Sequence, residues 1–221
     1  MDFSFELNQV LPADLPHREN VIRKAAEHLD LIVEANQYLN LTRITTPREA
    51  AIKHVLDSVL PWRRFEGAKN VLDAGTGAGF PGIPLALALP QTQFTLAESI
   101  QKKARFVESA LAKLQLPNVT VSARRAEDIL REGGFDIVTA RALAPTPKAV
   151  ELLGPALKRG ARALLYKGPD VEQEIAASKR PAQIDIVMRY ELPDALGART
   201  IVELRALTAG PGPTRRPSAA P

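Results

Sequence analysis

The sequence predicts an α/β protein with a mostly parallel, doubly wound sheet, closed by an antiparallel hairpin and preceded by helices. Three observations carry this. Short apolar runs alternate with helix-periodic stretches over residues 70–166, the first run ends in a glycine-rich turn, and the last two extended segments follow each other with no helix between them.

The elements follow in order. Within residues 18–40, Ile22, Ala25, Leu29, Ile32, Val33 and Leu39 recur near the helical period, which predicts a helix with one packed face. Asn40 suits the carboxyl-terminal cap of that helix. Thr46 and Pro47 supply a cap and a first-turn proline for a second helix, running through Ala51, Ile52, Val55, Leu56 and Val59 to Pro61. Val71 to Asp73 reads as a strand, residues 83–89 as a helix and residues 94–97 as a strand. Ser99 is predicted to cap a helix whose Ile100, Ala104, Val107, Leu111 and Leu114 share a face. Strands at 119–123, 135–139 and 163–166 continue the alternation. Finally Ile184, Ile186, Met188, Tyr190 and Leu192 alternate with Asp185, Val187, Arg189 and Glu191, and a loop separates them from a strand at 200–205. The expected organisation is a helical segment at 1–66 packed on the core, an α/β domain at 67–208 and a tail at 209–221. That tail has four prolines and no acidic residue, so it is expected to be disordered.

Composition narrows the function. Apolar residues make up 45% of the 221 and charged residues 24%, as in ordinary soluble domains. The longest apolar run, 83–90, falls far short of the roughly 20 residues that cross a bilayer. The acidic amino terminus has no secretory pattern, so a cytoplasmic protein without membrane contact is expected. The absence of cysteine excludes disulfides, thiolate metal sites and cysteine nucleophiles; three scattered histidines argue against zinc, and no metal is expected. The net charge of +4 is mild, with Arg215 and Arg216 in the tail, and it permits a polyanionic partner without requiring one.

The chemistry gathers at strand ends. Asp73 closes the first strand and Gly75, Gly77 and Gly79 follow at alternate positions. Glycine admits positive φ and close approach of a ligand, and the next helix brings a positive terminus that suits a carboxylate or a phosphate. S-adenosylmethionine fits, with its carboxylate and amine across the turn and Asp73 attracting the ammonium. Gly77, Gly79 and Gly82 also fit the dinucleotide pattern, so a nicotinamide cofactor is an alternative at this point. Glu98, ending the second strand, can accept both ribose hydroxyls or favour the next helix. Ala126, Glu127 and Asp128, after the third strand, can read adenine or simply cap a helix. Arg141, after the fourth, sits where doubly wound sheets bind ligands and can face cofactor and target base, or make a surface ion pair. Lys167, after the fifth, can hold RNA phosphate or be solvated. Lys102, Lys103, Arg105, Arg124 and Arg125 add positive charge near this edge. His54 and Asp57, three apart on a predicted helix, are expected to pair.

Taken together, Asn40-Leu41-Thr42, His54-Val55-Leu56-Asp57-Ser58, residues 72–84, Lys102-Lys103, Arg125-Ala126-Glu127, residues 135–142 and Lys167-Gly168 resemble the bacterial 16S ribosomal RNA guanine-N7 methyltransferase family, RsmG or GidB. One departure is Ala140, where the family often carries serine. The resemblance implies a class I, Rossmann-like methyltransferase domain with a seven-stranded sheet and S-adenosylmethionine as cofactor. With it, cofactor binding is expected of Asp73, Gly75, Gly77, Phe80, Glu98, Ala126, Glu127 and Arg141; RNA binding is expected of Lys167, Lys102, Lys103 and Arg125 from their charge at this edge, the alternative being a solvated face. The implied target is the guanine at position 527, in the 530 loop of 16S ribosomal RNA, presented as RNA or as the small subunit, with no obligate protein partner. Guanine N7 has a lone pair and no proton, so no acid or base catalyst is expected. The alternatives from other classes are a nicotinamide oxidoreductase and a non-catalytic RNA-binding module.

Overall fold

In the computed structural model, which describes residues 2–44, 46–178 and 182–207, seven strands form one sheet in the order β3-β2-β1-β4-β5-β7-β6. The strands are β1 (Asn70–Ala74), β2 (Gln93–Ala97), β3 (Val119–Ser122), β4 (Ile137–Arg141), β5 (Arg162–Lys167), β6 (Gln183–Glu191) and β7 (Ala198–Arg205). The first five are parallel, whereas β7 runs antiparallel to both β5 and β6. The strand order turns back between β1 and β4, and at such a switch point the connections diverge and leave a crevice at the carboxyl ends of the strands.

Alternation along the strands explains the layers. Val71, Ile137, Leu164 and Ile201 belong to one core, and their neighbours Leu72, Val138, Leu165 and Val202 belong to the other. A period of two sends successive side chains to opposite faces, so strands apolar at every position must be covered on both. The second core is completed by α7 (Ala126–Glu132), α8 (Thr146–Lys158) and Val171 of α9 (Val171–Ala176). The first core receives α5 (Gly82–Ala88) and α6 (Gln101–Leu114), together with α1 (Phe3–Val10) and α2 (Arg18–Leu39). Phe3, Leu7, Leu29 and Ile32 are buried in the same cluster as Val71 and Phe94. The amino-terminal helices thus share a core with the sheet.

Local chemistry sets the helix ends. Asn40 caps α2 in the left-handed conformation (φ 49°), which asparagine tolerates better than most residues. The Asn36 amide then closes the turn, donating to the Thr42 carbonyl at 2.8 Å and accepting from its N–H at 3.0 Å. The second predicted helix is α3 (Pro47–Ala50), a π-helical segment (Ala51–Leu56) and α4 (Asp57–Val59) in sequence. Proline occupies the first turn as expected, but Thr46 makes no side-chain cap bond. β4 begins two residues later than the apolar run suggested, because Asp136 turns to accept from the Lys69 and Asn70 N–H groups. The expectation of disorder for 209–221 falls outside the described residues.

Candidate active site

β1 delivers Asp73 and Ala74 to the carboxyl edge, and there the chain must turn. Gly75 and Thr76 both donate to the Ala97 carbonyl at 3.0 Å, drawing the turn across to β2. That path needs left-handed backbone, with φ of 76° at Gly75, 63° at Gly77 and 103° at Gly79. The glycines then divide by what surrounds them. A β-carbon at Gly77 would meet nothing within 4 Å, and one at Gly75 only the Leu143 side chain at 3.6 Å. One at Gly79 would strike Ile83 at 2.5 Å, and one at Gly82 would strike Leu96 at 2.2 Å and Asp73 Oδ2 at 2.8 Å. Gly79 and Gly82 therefore permit packing, while Gly75 and Gly77 border open space.

Asp73 is fully buried beneath this space. Its Oδ2 accepts from Thr76 Oγ1 (2.6 Å) and the Gly82 N–H (2.9 Å). Its Oδ1, equally buried, has no partner among the described residues. Desolvation raises the carboxyl to about 6, against the pull of Thr76 and Gly82. A buried carboxylate oxygen left without a donor suits an ammonium group brought by a ligand. Glu98, just past β2, accepts from the Gly77 N–H with Oε2 (3.1 Å) and from the Ile100 N–H with Oε1 (2.8 Å). These bonds tie the glycine turn to the chain entering α6, and the Ser99 cap expected there is absent: the cap position is Ile100, with no side-chain cap bond.

Behind the turn is an aromatic stack. The Phe80 ring is buried, lies 4.7 Å from His54 at an interplanar angle of 10°, and tilts against His28 at 5.0 Å. His28 Nε2 bonds the Ala78 carbonyl at 2.9 Å, tying α2 to the glycine turn. Burial lowers His28 to about 4, partly offset by that bond, and lowers His54 to about 3 with the Arg141 charge adding to the effect. Both rings are neutral at pH 7. His54 bonds Thr42 Oγ1 at 3.0 Å rather than Asp57. Asp57, also buried, instead accepts from the Tyr190 hydroxyl at 2.9 Å and faces Arg141 and Arg199 at 3.5 and 3.6 Å. The expected His54–Asp57 pair is therefore absent. It presumed α-helical spacing, and the π segment changes which side chains share a face.

Beside the turn a cavity of about 730 Å³ opens at the carboxyl ends of β4 and β5, lined by Lys53, Asp57, Arg141, Leu143, Lys167 and Glu174 among others. Arg141 donates to the Lys53 carbonyl at 2.7 Å and stands 5.4 Å from the Phe80 ring. After it, Ala142 takes φ 56°, an uncommon conformation for alanine that turns the loop over the cavity. Lys167 is neither solvated nor free to meet phosphate. Its ammonium donates to the Ala144 carbonyl and to Glu174 Oε2, both at 2.7 Å.

Residues 21–202 match the family described as rRNA small subunit methyltransferase G. Ribosomal RNA small subunit methyltransferase G of Solibacter usitatus (strain Ellin6076) is 65% identical over 93% of this chain and 100% of its own length. The chain belongs to the rRNA small subunit methyltransferase G family. The Desulfitobacterium hafniense (strain Y51) protein of the same name is 40% identical over 72% of this chain and 68% of its own. Among solved structures, the O-methyltransferase from Bacillus cereus in complex with SAH superposes with a TM-score of 0.55 at 18% identity, over 80% of this chain and 90% of that one. The shared fold is the class I S-adenosylmethionine-dependent methyltransferase fold.

Within this member of the rRNA small subunit methyltransferase G family, the residues singled out from sequence fall into two groups about β1. Gly75, Gly77, Asp73 and Glu98 are linked around one turn, with Ala126 and Glu127 opening α7 after β3. Phe80 lies under the turn and not on its open side. Arg141 and Lys167 line the cavity on the β4–β5 side. Lys102 and Lys103 begin α6 and Arg125 precedes α7, which places all three after β2 and β3, across β1 from that cavity. Sequence reasoning missed His28, Glu174, Tyr190 and Arg199. His28 and Tyr190 were read as parts of packed faces or not at all, and Glu174 carries no motif. Their partners lie 50, 28 and 133 positions away for His28, Glu174 with Thr146, and Tyr190.

Proposed function

We propose that this chain transfers the methyl group of S-adenosylmethionine to N7 of a guanine in 16S ribosomal RNA, at position 527 in the 530 loop as the family resemblance implies. The observation that carries the reading is the orphaned Asp73 Oδ1 beneath the open, positive-φ glycines. S-adenosylmethionine, when bound, supplies a methyl group on a positive sulfur. Asp73 would receive its ammonium, Gly75 and Gly77 would lie against its amino-acid portion, and Glu98 would use its remaining lone pairs for the ribose. Ala126 and Glu127 would meet the adenine. Phe80 would contribute from below by holding the turn, and Arg141 would orient base and cofactor at the cavity mouth. A dinucleotide has no ammonium for Asp73, which counts against a nicotinamide oxidoreductase.

Guanine N7 needs no deprotonation, so no residue has to move a proton before transfer. The protein's work is alignment; the cavity's two carboxylates, Asp57 and Glu174, are each paired with cations of the chain, so they can orient the base but bring no net negative charge to it. RNA phosphates would meet Lys102, Lys103 and Arg125 outside the cavity, while Lys167 would act by fixing the loop. We read 67–208 as the catalytic domain and 1–66 as a helical segment sharing its core. The reading carries a cytoplasmic enzyme acting on 16S ribosomal RNA or the small subunit, without membrane or obligate protein partner.

Incubation with tritiated S-adenosylmethionine and small-subunit RNA or subunits, followed by borohydride–aniline cleavage, tests it. Label at a cleavable guanine is expected. Label on a ribose hydroxyl or an exocyclic amine would overturn the N7 assignment, and calorimetric binding of NAD in place of S-adenosylhomocysteine would overturn the cofactor.

A further inference from the structure

We infer that Glu174 selects guanine, its free carboxylate oxygen accepting from the Watson–Crick edge of the base inside the β4–β5 cavity. The inference rests on the proposed guanine-N7 activity and assigns one residue the recognition that activity needs.

The carboxylate is held from one side only. Glu174 Oε2 accepts from the Thr146 N–H (2.7 Å), Thr146 Oγ1 (2.8 Å) and Lys167 Nζ (2.7 Å), which fixes the plane of the group. Nothing among the described residues donates to Oε1, and the residue lines the cavity. Desolvation raises the Glu174 carboxyl, but the bonds from Lys167 and Thr146 outweigh it, so the group stays below the ordinary carboxylate value and is ionised at pH 7. Lys167 and Glu174 neutralise each other, so what remains directional toward the cavity is an oriented acceptor.

The shape of the base agrees with this placement. Leu143 lies 3.6 Å from the β-carbon position of Gly75 and also lines the cavity, so the cavity meets the cofactor turn at Leu143. Glu174, on α9, is held by Thr146 at the start of α8 and by Lys167 at the end of β5, whereas Leu143 is the residue that meets the turn after β1. Guanine carries N7 on one side and the N1–H and N2–H₂ donors on the other. With N7 toward the turn, those donors point toward α9. Adenine offers a lone pair at N1 and no amine at C2, so it would set a lone pair against the carboxylate. A site that holds an acceptor in one orientation against the base edge discriminates against a base lacking the donor, and the Glu174 side chain is held so while 30% exposed.

The test compares kcat/KM for RNA carrying guanosine or inosine at the target, since inosine lacks only the N2 amine. The parent is expected to favour guanosine by tenfold or more. In Glu174→Gln the side-chain oxygen still accepts from Thr146 and Lys167, but an amide N–H₂ replaces the free oxygen. Guanosine activity is expected to fall tenfold or more while the guanosine-to-inosine ratio drops toward one. Each ratio is measured within one preparation, so a fraction of misfolded protein cancels. Glu174→Asp, which withdraws the carboxylate by one methylene, should lower the ratio too and serves if the glutamine variant does not fold. Equal parental rates on both RNAs would overturn the inference, as would variants that lose activity at an unchanged ratio, which is the signature of a merely structural contact. Failure of the parent to methylate guanosine RNA at all would instead overturn the guanine-N7 reading.

Discussion

At the scale of single residues, the glycine turn after β1 depends on backbone geometry and on the buried carboxylates that accept from it. Gly75→Val forces a β-branched residue to φ 76°, which costs about 1–2 kcal/mol and puts a side chain where a ligand would approach. Glu98→Ala leaves the Gly77 and Ile100 N–H groups without their acceptor, a loss of about 1–3 kcal/mol even without ligand. Urea unfolding should show both costs, and calorimetry with S-adenosylhomocysteine should show weakened binding. Parental affinity in both folded variants would refute the placement of the cofactor. Asp73 makes a prediction with a sign. Its folded value near 6 lies above the ordinary 3.8, so between these values the folded protein keeps a proton that the unfolded chain releases. Stability therefore falls as pH rises through that window, by roughly 3 kcal/mol once it is crossed. Asp73→Asn should be more stable than the parent at pH 7.5 without cofactor, by a margin that closes toward pH 4, yet bind S-adenosylhomocysteine more weakly. Chemical denaturation at both pH values, in which the parent proved the more stable protein at pH 7.5, would contradict the account.

At the scale of elements, the helices before the sheet and the hairpin after it meet over one buried carboxylate. Asp57, on α4, takes the hydroxyl of Tyr190 from β6 and faces Arg199 from β7 and Arg141 from β4. Tyr166 of β5 adds a bond to the Ser58 carbonyl at 2.6 Å. Tyr190→Phe removes one donor from a buried charge and should cost about 1.5–3 kcal/mol, read as a lower unfolding midpoint. Binding of S-adenosylhomocysteine should persist, because the turn at β1 has its own bonds. An unchanged midpoint would show that the tyrosine hydroxyl does not tie the hairpin to the helices. Periodicity located α2 and the strands, and Pro47 located the start of α3. It could not show that residues 51–56 are π-helical, because apolar spacing at Ile52, Val55 and Leu56 suits either helix. Nor could it show that α6 has its cap position at Ile100, without a cap from Ser99, while Glu98 takes the Ile100 N–H.

At the scale of the whole molecule, charge separates the two ligands. In the proposed reading Asp73 and Glu98 would hold a small cofactor at the turn after β1, whereas Lys102, Lys103 and Arg125, at the starts of α6 and α7, would meet phosphates. Binding through phosphates releases counterions, and the logarithm of affinity falls by about 0.7 per contact per decade of salt for single strands. Raising salt from about 50 to about 200 mM should therefore weaken RNA binding on the order of tenfold or more, while affinity for S-adenosylhomocysteine changes little. Filter binding and calorimetry in parallel check this, and equal salt dependence for both ligands would remove these cations from the RNA interface.

The sequence by itself determined the fold class, because apolar periodicity and glycine placement act locally and each strand or turn declares itself within a few residues. It also determined the turn at 73–82, since positive φ and an acid at a strand end are properties of adjacent positions. Only the tertiary structure decided that β7 inserts between β5 and β6, because alternation marks a strand and its faces without naming its neighbour. Only the tertiary structure separated Gly75 and Gly77, which border open space, from Gly79 and Gly82, which the side chains of Ile83 and Leu96 crowd. It likewise turned Lys167 from a free cation into a partner of Glu174, all of whose bonds from the described residues fall on one carboxylate oxygen. Such outcomes depend on which distant groups packing brings within hydrogen-bond reach, and no local pattern in the chain encodes that.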